Sequence, residues 1–326
     1  MERDPVSTTV NTVLGPIAAE ELGVVAIHEA LLSVVPGAQF AYDIEIDRAE
    51  IFEVLRDKLE AFKAAGGGAI VDRTGMSHGR DLPLYEALSR TTGVHIIAST
   101  GMGPEENLGG YFLTPQTNPP TPWPAERFAE LFAAEATEGM VLPRVERRAS
   151  AGLVVTTQTA GGATPTDESL LRGAARAAAQ SGVALSFSAP ADPIVALEAV
   201  LAEGLSADRI VVAGLDRAGS AATARAVAER GAYVAIDHIG QSEAGLISDD
   251  DRAALVAELV AAGLGSRIVL SSGAVGVAKG HPGTDVAYDA VLAGFVPTLA
   301  AHGLDEDGIR GILVDNPRNL LAVKEA

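Results

Sequence analysis

Residues 209–237 read RIVVAGLDRAGSAATARAVAERGAYVAID. A short apolar run at 209–214 gives way to helical spacing over 217–230, and a second apolar run follows at 232–237. Each run is nearly continuous in apolar residues, as a parallel strand buried on both faces must be. The stretch therefore predicts one strand, one helix and a second strand. The same unit recurs along the chain. GVVAI 23–27, GAIVD 68–72, VHIIAS 94–99, AGLVVT 151–156, VALSF 183–187 and RIVLSS 267–272 bring the candidate strands to eight. Helical patterns lie between and after them at 47–66, 82–92, 124–137, 166–180, 191–204, 250–263 and 284–302.

Eight strands alternating with eight helices predict an α/β fold closed as a (β/α)8 TIM barrel, one domain over 1–326. An open doubly wound sheet would carry a glycine-rich phosphate turn after an early strand. Here the run GGG 66–68 precedes a strand instead. The longest irregular segment, 101–124, follows the third strand and is a candidate lid or subunit interface. Its aromatics Tyr111, Phe112 and Trp123 are costly to expose in a chain with 4% aromatic residues, so a homodimer is expected.

Charge and composition narrow the function. With 43 acidic and 24 basic residues the net charge is −19, which repels nucleic acid and anionic lipid surfaces and leaves a small molecule as the expected partner. There is no cysteine, which excludes disulfides, thiolate metal sites and a cysteine nucleophile. The first residues, MERDPVSTTVNTVLGPI, hold no apolar signal core, and no run of about 20 apolar residues occurs, so a cytoplasmic location is expected.

In such a barrel, chemistry sits at the C-terminal ends of the strands. Those ends carry His28 and Glu29, Asp72 and Arg73, Ser99 and Thr100, Val155, Thr156 and Gln158, Ser188, Gly214 and Asp216, Asp237 and His238, and Ser272 and Gly273. The segments AIHEAL 26–31, AIVDRTGMSHGRDLPLYEALSRTTGVHIIASTGM 69–102, GGATPTDESLLRGAARAAAQSGVAL 161–185, GAYVAIDHIG 231–240 and GILVDNPRNLLA 311–322 stand in an order and spacing that resembles the phosphotriesterase-like proteins of the amidohydrolase superfamily.

The resemblance implies the barrel, a homodimer, and in typical members a dinuclear metal centre held by a His-x-His, a carboxylated lysine, two further histidines and an aspartate. Carried over, the first histidine falls on His28. The other positions fall on Ala30, Val155 or its neighbour Thr156, Ser188, Gly214 and Gly273. Zinc takes three or four ligands from such side chains. No metal and no other cofactor is therefore expected, and phosphotriester hydrolysis is the inherited activity that the replacements disfavour most.

These smaller replacements predict a roomier, drier pocket. His28, His238, Asp72 and Asp216 are the candidate acid/base groups, with His28 open to three readings: a retained relic, a general base or a metal ligand. Asp72 is open to an ion pair with Arg73, and Asp216 to capping a helix near residue 217. Glu29, Arg73, Gln158, Ser188, Tyr111, Trp123, Lys279 and His281 are candidate substrate contacts, while His78 and Arg80-Asp81 read as loop and helix-entry structure. Ser188 with His28 or His238 suggests a serine nucleophile, without a nucleophile-elbow motif to support it. The expected function is a metal-independent hydrolase of an ester or lactone, or a lyase or isomerase, acting on a small, largely apolar carbonyl compound. The alternatives are a non-catalytic ligand-binding protein on the same barrel and a conventional metal hydrolase.

Overall fold

A computed structural model of the chain describes residues 8–38, 41–108, 113–114, 121–142 and 146–324. The apolar runs form the parallel strands β1 (Val24–Val34), β2 (Gly67–Asp72), β3 (His95–Met102), β4 (Leu153–Thr157), β5 (Ala184–Ser188), β6 (Ile210–Val212) and β7 (Tyr233–Ile236). The eighth run forms β8 (Ile268–Leu270), and a further short strand beyond it, β9 (Val275–Lys279), had no counterpart in the sequence reading. From β1 to β8 each strand pairs with the next, and β9, which follows β8 in the chain, pairs with β1 in parallel with Val275 opposite Ala30 and Val277 opposite Leu32, which closes the barrel.

The break between β8 and β9 has a specific cause. The Glu29 carboxylate accepts from Ser271 Oγ at 2.7 Å, Ser272 N at 2.9 Å and Ala274 N at 2.5 Å. The backbone N–H groups of Ser272 and Ala274 thus turn to Glu29 instead of to a neighbouring strand, while Ser271 N still donates to Ile236 on β7.

Helices cover the outside where the periodicity placed them: α1 (Arg48–Ala64), α2 (Leu82–Thr92), α3 (Ala125–Thr137), α4 (Pro165–Ser181), α5 (Pro193–Ala202), α6 (Ala221–Glu229) and α7 (Asp249–Ala261). Side-chain caps fix several starts: Asp47 for α1, Asp81 for α2, Thr164 for α4, Asp192 for α5 and Ser248 for α7.

The helix expected at 284–302 starts later, in a π turn at Val291–Phe295 that continues into α8 (Val296–Ala301). Thr284 Oγ1 accepts from Val275 N and the Tyr288 hydroxyl donates to the Ala30 carbonyl, so the preceding residues are tied to the barrel wall. Two further helices, α9 (Glu306–Arg310) and α10 (Asn316–Leu321), and an N-terminal hairpin of Thr9–Thr12 with Gly15–Ala18 had no counterpart in the sequence reading. Among the described residues no helix is long and apolar enough to cross a membrane.

The barrel interior is filled by alternate strand residues: Val25 and Ile27, Ala69 and Val71, Ile97, Leu153, Ala184, Val211, Tyr233 and Ala235, and Val269. Val10, Leu22, Leu320 and Leu321 join the same cluster. Because successive strand side chains point to opposite faces, this inward set fixes what projects into the mouth two residues further on. The continuation is Arg73, Val155, Ser186 and Ser188, Ala213 and Asp237. On β1 the alternation breaks, because the pairing with β2 slips register between Ala26 and Glu29. That bulge brings His28 and Ala30, rather than Glu29, to the inner face.

Candidate active site

At the inner face His28 is fully buried, and its two ring nitrogens reach across the barrel to different strands. Nδ1 lies 2.8 Å from Asp237 Oδ1, after β7, and Nε2 lies 2.8 Å from Ser186 Oγ, on β5. The His28 backbone N–H donates to Ser271 Oγ, which pins the bulge to the eighth strand. Asp237 Oδ2 accepts from Gly214 N at 2.6 Å.

Burial alone would push the Asp237 carboxyl up. The His28 charge and hydrogen bond, with Arg73 and His238 beyond them, outweigh burial and hold it well below the usual carboxylate range. In the neutral ring with its proton on Nδ1, toward the carboxylate, Nε2 accepts from the Ser186 hydroxyl. The three side chains have the connectivity of a nucleophile, a base and an orienting carboxylate.

This relay opens on a cavity of about 270 Å3 whose lining includes Ala30, Arg73, Val155, Ser186 and Ser188. Ser188, two residues beyond Ser186 and on the same face, makes no side-chain hydrogen bond among the described residues. A second lobe of about 290 Å3 adjoins the first through Arg73, Ser188 and Ala213, and reaches Arg217, Asp237 and His238. His238 forms its own dyad: its Nδ1 lies 2.7 Å from Asp216 Oδ1, while Asp216 Oδ2 accepts from Arg252 Nε at 2.9 Å. Asp216 therefore caps no helix. α6 begins at Ala221, and its N-cap residue Ser220 makes no capping bond.

Several predicted residues lie elsewhere. Asp72 points outward from β2, between Val71 and Arg73, and is sealed behind the sheet. It accepts from Leu31 N, the Thr74 hydroxyl and the Tyr85 hydroxyl, and neither pairs with Arg73 nor reaches the mouth. Glu29 is likewise fully buried in the clamp on the eighth strand, so it is not available to a substrate. In both carboxyls burial raises the pKa, and the hydrogen bonds recover only part of the shift.

Gln158 and Trp123 also miss the mouth. Gln158 lines a separate depression beside α4 and α5, and Trp123 packs on Phe128 under the Arg127 guanidinium. Lys279 lies on β9. His281 Nε2 sits 2.8 Å from Ser33 Oγ, one layer behind the wall that Ser33 and His78 present. Burial, and then the neighbouring His281, lower the His78 pKa. Tyr111 lies outside the described residues. Arg80 and Asp81 are structural, as expected: Arg80 makes a two-pronged ion pair with buried Glu135, and Asp81 caps α2.

Ser186 was missed. The signal was available in the two-residue period of β5, which puts Ala184, Ser186 and Ser188 on one face.

The donor set does not fit a dinuclear metal centre. Ala30, Val155 and Gly273 offer no side-chain donor, His28 has both nitrogens engaged, and Gly214 occupies a positive-φ turn (φ 74°). Among the described residues no group of three or more His, Asp or Glu side chains is disposed to hold a metal ion.

The Phosphotriesterase family model matches residues 8–321. This chain belongs to the phosphotriesterase family. Among its relatives is an N-acetyltaurine hydrolase of Tetraodon nigroviridis, 26% identical over 98% of this chain and 99% of that protein. Another is a phosphotriesterase homology protein of Mycobacterium tuberculosis, 25% identical over 95% of this chain and 96% of that one. A mutant PTE-like lactonase of Deinococcus radiodurans superposes with a TM-score of 0.84 at 22% identity, covering 96% of this chain and 100% of that structure. The (β/α)8 barrel and the membership of a hydrolase family are thus settled.

Proposed function

We propose that the protein is a metal-independent hydrolase of a small carbonyl compound, an ester, lactone or amide, in which Ser186 is the nucleophile, His28 the base and Asp237 the orienting carboxylate. The observation that carries this reading is the continuous relay from Ser186 Oγ through the His28 ring to Asp237, set at the mouth of the barrel. Ser186 Oγ bonds to the carbonyl carbon as its proton passes to His28 Nε2. The bond to the leaving group then breaks, and the leaving group takes that proton. Water attacks the resulting serine ester as its proton passes to His28 Nε2; the bond from the carbonyl carbon to Ser186 Oγ then breaks, the acid departs, and the proton returns from His28 to Ser186 Oγ. Asp237 stays ionised throughout and stabilises the imidazolium. The free Ser188 hydroxyl is placed to donate to the carbonyl oxygen as it gains charge.

The relatives support an acyl carbonyl as the reacting group, since by their names one acts on an N-acetyl amide and another on lactones. The expectation of a largely apolar substrate gives way here, because Arg73, Thr74 and His78 line the same cavity. We also read the protein as cytoplasmic and homodimeric, from its lack of cysteine and its family.

The test is turnover of 4-nitrophenyl acetate by chelator-treated protein, with Ser186→Ala and His28→Gln beside the wild type. The wild type retains its rate without metal, and each variant loses about a hundredfold or more, the scale of one general base. A rate that vanishes on chelation and returns with zinc, or that survives in both variants, contradicts the reading.

A further inference from the structure

The second lobe holds a feature that the relay does not use. The chain is strongly acidic, with a net charge of −19, and its arginines are almost all spoken for. Arg48, Arg56, Arg80, Arg90, Arg147 and Arg148 pair with carboxylates. So do Arg172, Arg176, Arg225, Arg230, Arg252, Arg310 and Arg318. Arg209 donates to backbone carbonyls, and Arg127 and Arg267 lie over aromatic rings. Among the described residues two arginines remain whose side chains make no hydrogen bond, ion pair or ring contact, Arg73 and Arg217. Both line the same lobe, beside His238.

Two independent routes bring them there. Arg73 continues the inward face of β2 beyond Val71, and Arg217 follows β6 in the loop that leads to α6. Arg73 is half-buried and its charge is felt at Asp237 through space, without an ion pair. In a protein that repels anions over most of its surface, two arginines without a side-chain partner, half-buried Arg73 and exposed Arg217, line one cavity beside Ser188 and give an anion a local site.

We propose that this lobe binds an oxyanion group of the substrate, a carboxylate, sulfonate or phosphate, so that the substrates are anionic acyl compounds. This rests on the barrel mouth being the active site. The anion sits against Arg73 and Arg217, and the acyl carbonyl extends past the shared wall of Ser188 and Ala213 to Ser186 in the first lobe. Arginine suits the task because its planar fork matches the two or three oxygens of such groups. Asp237 sets a limit on the arrangement: it faces the same lobe, and its own charge is committed to His28 and the Gly214 amide.

The experiment has a binding arm and a kinetic arm. Calorimetric titration with acetate, methanesulfonate and inorganic phosphate, each used alone, reads binding to wild type, Arg73→Gln, Arg217→Gln and Ser186→Ala, after circular dichroism has checked that each variant is folded. At least one probe binds the wild type and Ser186→Ala alike, and each arginine variant weakens it by about tenfold or more, the usual effect of losing a charge-assisted bond. Which probe binds best names the group. In the kinetic arm, kcat/KM for mono-4-nitrophenyl succinate relative to 4-nitrophenyl acetate falls about tenfold or more in each arginine variant, mainly through KM. A loss in kcat shared equally by both esters would make the arginines stabilisers of the carbonyl oxygen and overturn the proposal. So would absence of binding by all three probes, or equal binding by the arginine variants. If the probes bind as stated while Ser186→Ala keeps full turnover, the anion lobe stands and the nucleophile assignment falls.

Discussion

Replacing Glu29 by Gln should destabilise the fold by about 2–4 kcal/mol, although the side chain touches no substrate. Its carboxylate receives Ser271 Oγ and Ser272 N on Oε1, Ala274 N on Oε2, and the Ser272 hydroxyl between them. Glutamine can keep one oxygen in place, but its NH2 then faces a donor. If Oε1 is kept, the Ala274 N–H loses a charge-assisted acceptor, worth about 1.5–3 kcal/mol, and stays buried without a partner, at about 1–3 kcal/mol more. Part of this returns, because the variant no longer buries a charge whose ionised form burial already disfavours. The net lands in the range stated. Urea unfolding at pH 7, followed by circular dichroism, measures it. The same clamp holds Ser271 against the His28 backbone, so turnover should fall together with stability. A loss below about 0.5 kcal/mol would mean that the break between β8 and β9 is held by something other than Glu29.

Two more predictions concern ionic groups. Arg80→Met alone should cost about 3–5 kcal/mol because it strands Glu135, whose side chain is 1% exposed, whereas Arg80→Met combined with Glu135→Leu should recover part of the loss in the same unfolding assay. For Asp237→Asn the sign follows from a folded pKa below the unfolded one. The stability that the carboxylate contributes is complete above the unfolded value of about 3.9, and is lost as pH falls through the lower folded value. The gap in unfolding free energy between wild type and variant should therefore hold steady between pH 5 and pH 4.5 and narrow below about pH 4, which urea titrations at stepped pH would show.

Much of the architecture was legible because burial leaves a periodic trace. The eight apolar runs became barrel strands, and the helical spacing placed the starts of α1, α2 and α7 to within a residue. The C-terminal helices were not legible. Pro317 stands at the start of α10 and a π turn at Gly311–Asp315 interrupts the spacing before it, so the segment shows no clean helical period.

The site was legible in part. Arg73, Ser188 and His238 were placed at the mouth by strand ends alone and line it, while His28 lies buried beneath it and reaches it through Ser186 and Asp237. Asp72 and Glu29 were misjudged for one reason: a strand end offers one inward and one outward side chain, and only the phase of the alternation says which. On β1 that phase is shifted by a bulge, which no local residue pattern announces. Ser186 lies two residues before the end of β5 at Ser188, so strand ends alone do not mark it.

The role of Ser186 as nucleophile requires a covalent bond at its Oγ. Rapid quenching of the wild type with 4-nitrophenyl acetate, then intact-mass spectrometry and peptide mapping, reads it directly. The account predicts one acetyl group per chain, located on the peptide that contains Ser186, absent from Ser186→Ala, and accumulating with a burst of nitrophenol. Hydrolysis that proceeds at full rate in Ser186→Ala with no acetylated peptide anywhere in the chain would contradict it, and would leave His28 acting on water alone.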